Sequence, residues 1–265
     1  MPETADLGTP FLRYERDGHI ALCTIDRPSS KNALSSAMYY GIKKAVALVN
    51  SYSDPTALIV TGTGDVFAPG GELRGRVEDP NPNHDYLVSG DIVPFEDVRM
   101  SFAPVVSAVN GMCWGGGLLT AMLSDVAVCS ERATFRVPEL VRGIADMNYA
   151  AYLPAHVGVA VARDLMLTGR IVDAEEALRI GLVSRVVAHD EVMSTARSVA
   201  EDILRTPPEA RMLVKRALTE NYGHVDRMSF HWSLFESGEA REGMEAFAEK
   251  RSPGWVPEKL RRGRL

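Results

Sequence analysis

Two glycine-rich stretches carry the most chemistry in this chain. Phe67-Ala68-Pro69-Gly70-Gly71-Glu72-Leu73 follows the apolar run Ala57-Leu58-Ile59-Val60. Asn110-Gly111-Met112-Cys113-Trp114-Gly115-Gly116-Gly117 follows Pro104-Val105-Val106-Ser107-Ala108-Val109. Each reads as a buried strand running into a turn that opens a helix. Glycine lets backbone approach a ligand closely, and a helix N-terminus points free N–H groups outward. Two such turns aimed at one point would hold a developing oxyanion with two backbone donors, the support that a thioester enolate needs.

The elements that must position these turns are those of an α/β fold. Residues 11–16 and 19–26 predict a hairpin turning at Asp17-Gly18. Residues 35–53 predict a helix with Met38, Ile42, Ala45 and Val46 on one face. Strands are expected at 57–62, 104–109 and 125–129, with the helix opened by the three glycines between the last two. From about residue 158 the pattern turns mostly helical. A capped helix starts at Asp173 and ends at Gly181, a short strand covers 183–187, and amphipathic helices cover 190–205, 207–222 and 227–250. Segment 74–101, with Asp79-Pro80-Asn81-Pro82-Asn83, is irregular: a pocket wall, a lid or a surface loop. No repeat recurs at a fixed period.

Bulk properties exclude several classes. With 265 residues and 46% hydrophobic content the chain can bury a full core as one domain, or one domain plus an appendage. Its net charge of −6 argues against nucleic-acid binding; the basic tail Lys259 to Arg264 reads as a solvated end or a phosphate contact. Three cysteines, Cys23, Cys113 and Cys129, sit in apolar runs without metal spacing and suit a reducing, cytoplasmic location. The N-terminus lacks the features of a secretory signal, and no apolar run approaches the ~20 residues of a membrane span.

The chain resembles the crotonase superfamily, the enoyl-CoA hydratases and isomerases. The resemblance runs nearly end to end: Arg27-Pro28 with Asn32-Ala33-Leu34, Phe67 to Leu73, Pro104 to Gly117, Ala133-Thr134-Phe135 with Pro138-Glu139, Leu167-Thr168-Gly169, Ala174 to Gly181, and Glu242-Gly243 through Phe247 to Lys250-Arg251. It implies a spiral core of ββα units over residues 1–200. A C-terminal helical region, 201–265, would pack trimers or pairs of trimers. It also implies an acyl-CoA thioester as substrate, with no cofactor beyond the coenzyme A it carries. By position, the oxyanion donors are the amides of Gly71 and Gly116. Lys31, Ala33, Ala68, Glu72, Leu73, Arg74, Trp114 and Leu119 fall at substrate-binding positions. Phe247 and Lys250 match positions that reach coenzyme A from a neighbouring subunit.

One departure bears on the reaction. Hydratases of the family carry two glutamates; here the first position is Leu119, which can neither hold a proton nor accept a hydrogen bond. The second is kept as Glu139, implied as the proton shuttle. Its position after Pro138 also suits a helix first turn, where the dipole would lower its pKa while burial would raise it; burial is expected to win if Leu119 and Trp114 line the site. Gly143-Ile144-Ala145-Asp146 is similar to the dienoyl-CoA isomerases, which makes Asp146 the substitute second carboxylate, or else a helix cap. Tyr149 or Tyr152 enters the reshaped pocket on this reading. His84, Asp85 and His156 are expected to play no part.

The favoured expectation is therefore an enoyl- or dienoyl-CoA isomerase. Moving a proton between two carbons needs one base and a stabilised enolate, but no activated water. The alternatives are hydration of a 2-enoyl-CoA, hydrolysis on the same scaffold, a non-catalytic acyl-CoA binder and an RNA-binding member of the fold.

Overall fold

The computed structural model describes residues 2–72 and 93–261. Strand β1 (Glu3–Thr4) lies along β2 (Leu12–Asp17), which turns at Gly18, φ 57°, into β3 (Ile20–Ile25). Helix α1 (Ser36–Ser51) crosses over, and β4 (Ala57–Gly62) joins β3 in parallel with Ala57 opposite Ile20. Ala57 to Val60 are buried on both faces, the pattern of a parallel strand covered on each side. Leu58 and Val60 belong to the same core layer as Met38, Ile42, Ala45 and Val46 of α1. Ala57 and Ile59 face the second core layer, with Val106, Val128 and the apolar stripe Val192, Ala196, Val199 and Ala200. The alternation follows from the two-residue period of strand side chains.

After β4 the chain repeats one manoeuvre. β4 leads into β5 (Val66–Ala68); after helix α2 (Phe95–Met100), β6 (Val105–Val109) leads into β7 (Met112–Trp114) and helix α3 (Gly116–Leu123); β8 (Val126–Ser130) leads into β9 (Thr134–Arg136). The first strand of each pair joins a large sheet and the second joins a small one. Among the described residues the large sheet has the order β1-β2-β3-β4-β6-β8-β11, where β11 is Arg185–Val187. The small one runs β10-β9-β7-β5, where β10 is Val172–Asp173. This parallel-dominated, mixed α/β architecture is the ββα spiral implied by the resemblance.

Helix α4 (Met147–Thr168) starts well before the expected helical onset near residue 158. Its N-terminus is capped by Asp146, and at Gly158, φ 77°, the backbone leaves the helical region, so two helical segments meet there: the second begins where the helical onset was expected, and the first, 147–157, was missed. Helix α5 (Ala174–Arg179) is capped by the Asp173 carboxylate, which accepts the Glu176 N–H, and is closed by Gly181. Helix α6 (Val192–Leu204) packs on the large sheet. Helix α7 (Pro208–Thr219) follows. The single helix expected over 227–250 is instead α8 (Arg227–His231), a π-helical turn at Trp232–Glu236, and α9 (Gly238–Glu249), restarted by the Ser237 cap. No helix of the described residues is long and apolar enough to cross a membrane.

Candidate active site

The segment Arg27 to Leu34 builds one wall of the site. Asn32 adopts φ 60°, and its side chain accepts the Arg27 N–H at 2.9 Å while donating to the carbonyls of Thr63 and Val66 at 3.1 and 2.7 Å. Leu34 then pairs with the first glycine turn: its N–H donates to the Gly70 carbonyl at 2.9 Å, and its carbonyl accepts the Glu72 N–H at 3.0 Å. These two bonds flank Gly71, so the Gly71 amide points away from Leu34. The buried Arg27 guanidinium grips both carboxylate oxygens of Glu72 at 2.9 and 3.2 Å and the Ala33 carbonyl at 3.1 Å.

The second glycine turn comes from the next layer of the spiral. Gly115 has φ 52°, and its N–H donates to the Arg136 carbonyl at 3.1 Å, which ties the turn to β9. Gly116 begins α3, so its amide has no carbonyl behind it in the helix. The two turns touch. A β-carbon on Gly70 would stand 3.3 Å from the Gly115 α-carbon and 3.4 Å from the Gly116 nitrogen. One on Gly115 would stand 2.7 Å from Glu139 Oε1. Only glycine allows both turns and the carboxyl to meet this closely.

Glu139 precedes a single 3-10 turn, Leu140–Arg142, which is too short to build much dipole. Its Oε2 is buried with no hydrogen-bond partner. Burial raises its pKa to about 8, the Asp146 carboxyl pushes in the same direction, and its own amide, Arg142 and Arg136 pull more weakly the other way. Burial therefore outweighs the helix dipole. Leu119 is packed inside α3, and the Trp114 indole turns toward β9, donating to Thr134 Oγ1 at 3.2 Å with the Arg136 guanidinium 5.5 Å from its ring. The apolar surroundings come from a pocket of about 200 Å³ lined by Val137, Leu140, Ile144, Met147, Tyr149 and Met166, which both Glu139 and Asp146 enter.

Asp146 fills two places at once. It caps α4, with Oδ1 accepting the Asn148 N–H and side-chain amide, each at 2.8 Å, and it lines the same pocket as Glu139. Burial raises its pKa, and the Asn148 donors oppose that. Of the two tyrosines, Tyr149 enters, donating its hydroxyl to the Gly115 carbonyl at 2.6 Å. Tyr152 goes elsewhere, to Glu96 and the Tyr222 ring. His156 stacks on Tyr222 and shares a 3.0 Å hydrogen bond with its hydroxyl.

Other expected contact residues scatter around this centre. Ala68 is buried in β5 against Gly117, whose β-carbon would meet the Ala68 carbonyl at 2.4 Å. Lys31 is exposed at φ 51°, beside the partly exposed Ala33. Leu73, Arg74, His84 and Asp85 lie outside the described residues. Phe247 sits on α9, which packs on its own chain's Leu140–Arg142 turn, with the Arg142 guanidinium 4.6 Å from the Phe247 ring. Lys250 closes that helix, exposed, at φ 56°.

The helix can dock because residue 243 has no side chain: a β-carbon there would stand 2.0 Å from the Arg142 carbonyl oxygen. Gly243→Ala is accordingly expected to lower stability by about 1–3 kcal/mol, read as a reduced urea midpoint, because backbone on one side must move.

Sequence reasoning missed Tyr39. Its hydroxyl lies 1.9 Å from where a β-carbon on Gly116 would stand and 3.6 Å from one on Gly71.

A two-sheet spiral that brings two glycine turns together beside a buried carboxyl is the architecture of an acyl-CoA enzyme. The chain belongs to the enoyl-CoA hydratase/isomerase family of the crotonase superfamily, whose family pattern matches residues 15–258. It is 34% identical to a carnitinyl-CoA dehydratase of Salmonella enteritidis over 258 residues, covering 92% of this chain and 97% of that one. Among solved structures it resembles an enoyl-CoA hydratase/isomerase from Pseudoalteromonas atlantica, with TM-score 0.78, 30% identity and coverage of 93% and 100%. It also resembles a carnitinyl-CoA hydratase from Mycobacterium avium, with TM-score 0.75, 29% identity and coverage of 92% and 98%.

Proposed function

We propose that this protein is an enoyl-CoA isomerase in which Glu139 is the single proton shuttle. The observation that carries the reading is the pairing of a buried, half-unpartnered Glu139 with an apolar, buried Leu119. The Glu139 carboxylate removes a proton from the α-carbon of a 3-enoyl-CoA. The electron pair moves onto the thioester oxygen as a dienolate, held by the amides of Gly71 and Gly116. The carboxylic acid so formed returns the proton to the γ-carbon, and the product is the conjugated 2-enoyl-CoA. No water is consumed. Incubation with a 3-enoyl-CoA tests this directly through the ultraviolet absorbance of the conjugated thioester; no absorbance rise from an enzyme that binds the substrate rejects it.

The pH profile follows from the same carboxyl. With its pKa near 8, Glu139 carries its proton below that pH and is a base above it. For isomerisation, kcat/KM is expected to climb about tenfold per pH unit up to about pH 8 and then level off. A profile that falls through this range would mean that the protonated form starts the reaction.

A second reading is hydration or dehydration, with Asp146 as the second acid. It is favoured by the shared pocket of Asp146 and Glu139 and by the dehydratase name of the Salmonella relative. It predicts a hydroxyacyl-CoA that carries solvent oxygen. Under either reading, Lys31, Ala33, Ala68, Glu72, Trp114, Leu119, Phe247 and Lys250 are proposed to border the substrate, with Leu73 and Arg74 joining them. No cofactor is proposed beyond the coenzyme A of the substrate. The assembly is proposed to be a homotrimer or a pair of trimers, supported by exposed Leu213, Val214, Leu218, Met228 and Trp232 on the C-terminal helices and turn. Free, buried cysteines support a cytoplasmic location.

A further inference from the structure

Tyr39 stands in the first turn of α1, and its position follows from bonds already described. Leu34 is pinned to the Gly70–Gly71 turn, Ser35 caps α1 by accepting the Met38 N–H at 3.3 Å, and the Tyr39 N–H donates to the Ser35 carbonyl at 3.0 Å. Four residues therefore separate the strap on the first glycine turn from a phenol lying across the second. The ring is held edge-on against Phe95, centroids 6.1 Å apart at 81°. The hydroxyl itself has no hydrogen-bond partner among the described residues. It fills the space that any side chain on Gly116 would occupy and lies 3.6 Å from where a β-carbon on Gly71 would stand, next to the two glycines whose amides are proposed to receive the thioester oxygen.

We propose that Tyr39 is a catalytic residue, a third oxyanion donor whose hydroxyl hydrogen-bonds the thioester carbonyl oxygen beside the amides of Gly71 and Gly116. This rests on the enolate reading above. Burial, together with the nearby Glu139 and Asp146 carboxyls, keeps the phenol protonated far above neutral pH. The hydroxyl is therefore a donor and not an anion that would repel the enolate. A side chain from outside the spiral turns supplies this donor, in a chain that carries no acid at position 119.

Tyr39→Phe is the test, since it removes one unpartnered oxygen and keeps the ring against Phe95. Turnover is expected to fall ~10- to 100-fold with KM changing little, below the 10²–10³ typical of losing a main donor. The specific readout is the infrared carbonyl stretch of bound butyryl-CoA labelled with ¹³C at the thioester carbon. In the parent protein the band is expected to shift to lower frequency than in free solution. Tyr39→Phe should give back part of that shift, and Glu139→Gln should leave it in place. A Tyr39→Phe band at the parent position overturns the proposal and leaves the enolate reading intact. A parent protein that leaves the band at its solution position, or binds no butyryl-CoA, overturns the enolate reading and this proposal with it.

Discussion

Replacing Glu139 with glutamine is expected to cut turnover ~10²- to 10⁴-fold while acyl-CoA affinity stays within a few-fold. The substitution keeps the shape of the side chain beside Gly115 and removes only its ability to exchange a proton. A second measurement separates the chemical role from a structural one. The folded-state pKa of about 8 lies above the ordinary value of 4.5. Between those two values the folded protein holds more protons than the unfolded one, so stability must fall as pH rises through the window. The contribution is fully present below the lower value and is lost on passing the upper one. Urea midpoints recorded from about pH 5 to about pH 9 should decline in the parent and decline less in Glu139→Gln. Full activity in the glutamine variant would remove Glu139 from the mechanism. Lost activity with an unchanged pH–stability slope would place its titration elsewhere.

Arg27→Met is expected to lower the free energy of unfolding by about 3–5 kcal/mol, because it strips the largely enclosed Glu72 carboxylate of its ion-pair partner. Arg27 is 2% exposed and Glu72 only 14% at the side chain, so water replaces little of the lost bond. The Ala33 carbonyl loses its donor too. The effect should reach the chemistry, since Glu72 follows Gly71 directly and its position sets where that amide points. Denaturant unfolding checks the first part. Acyl-CoA affinity in the surviving folded fraction checks the second. The double variant Arg27→Met/Glu72→Leu, which removes both charges, should recover much of the stability.

What could be read in the chain before its structure divides along physical lines. Long parallel strands were legible: 57–62 is a continuous apolar run, and β4 covers those residues. The hairpin at Asp17-Gly18 was legible because turn chemistry is local. The second strand of each spiral turn was not. β5, β7 and β9 have three residues each, too few to display a two-residue alternation; β5 and β7 lie in or beside the stretches read as glycine turns, and β9 overlaps Ala133-Thr134-Phe135, noted only for its resemblance. Helix α4 was half visible: the segment after the Gly158 break was legible, and the one before it, which contains Pro154, was not. In the candidate site, the glycines announced themselves through spacing, and Glu139 through resemblance. Tyr39 gave no such signal. It sits one residue beyond Met38 on the margin of the apolar stripe of α1, and its meeting with Gly116 depends on the bridge between Leu34 and Gly71.

The burial of Leu119 makes a carboxylate at that position costly to introduce. Leu119→Glu would place an acid at a fully enclosed position within the apolar core cluster. Until neighbouring side chains changed as well, that acid would be a stability defect before it was a reagent.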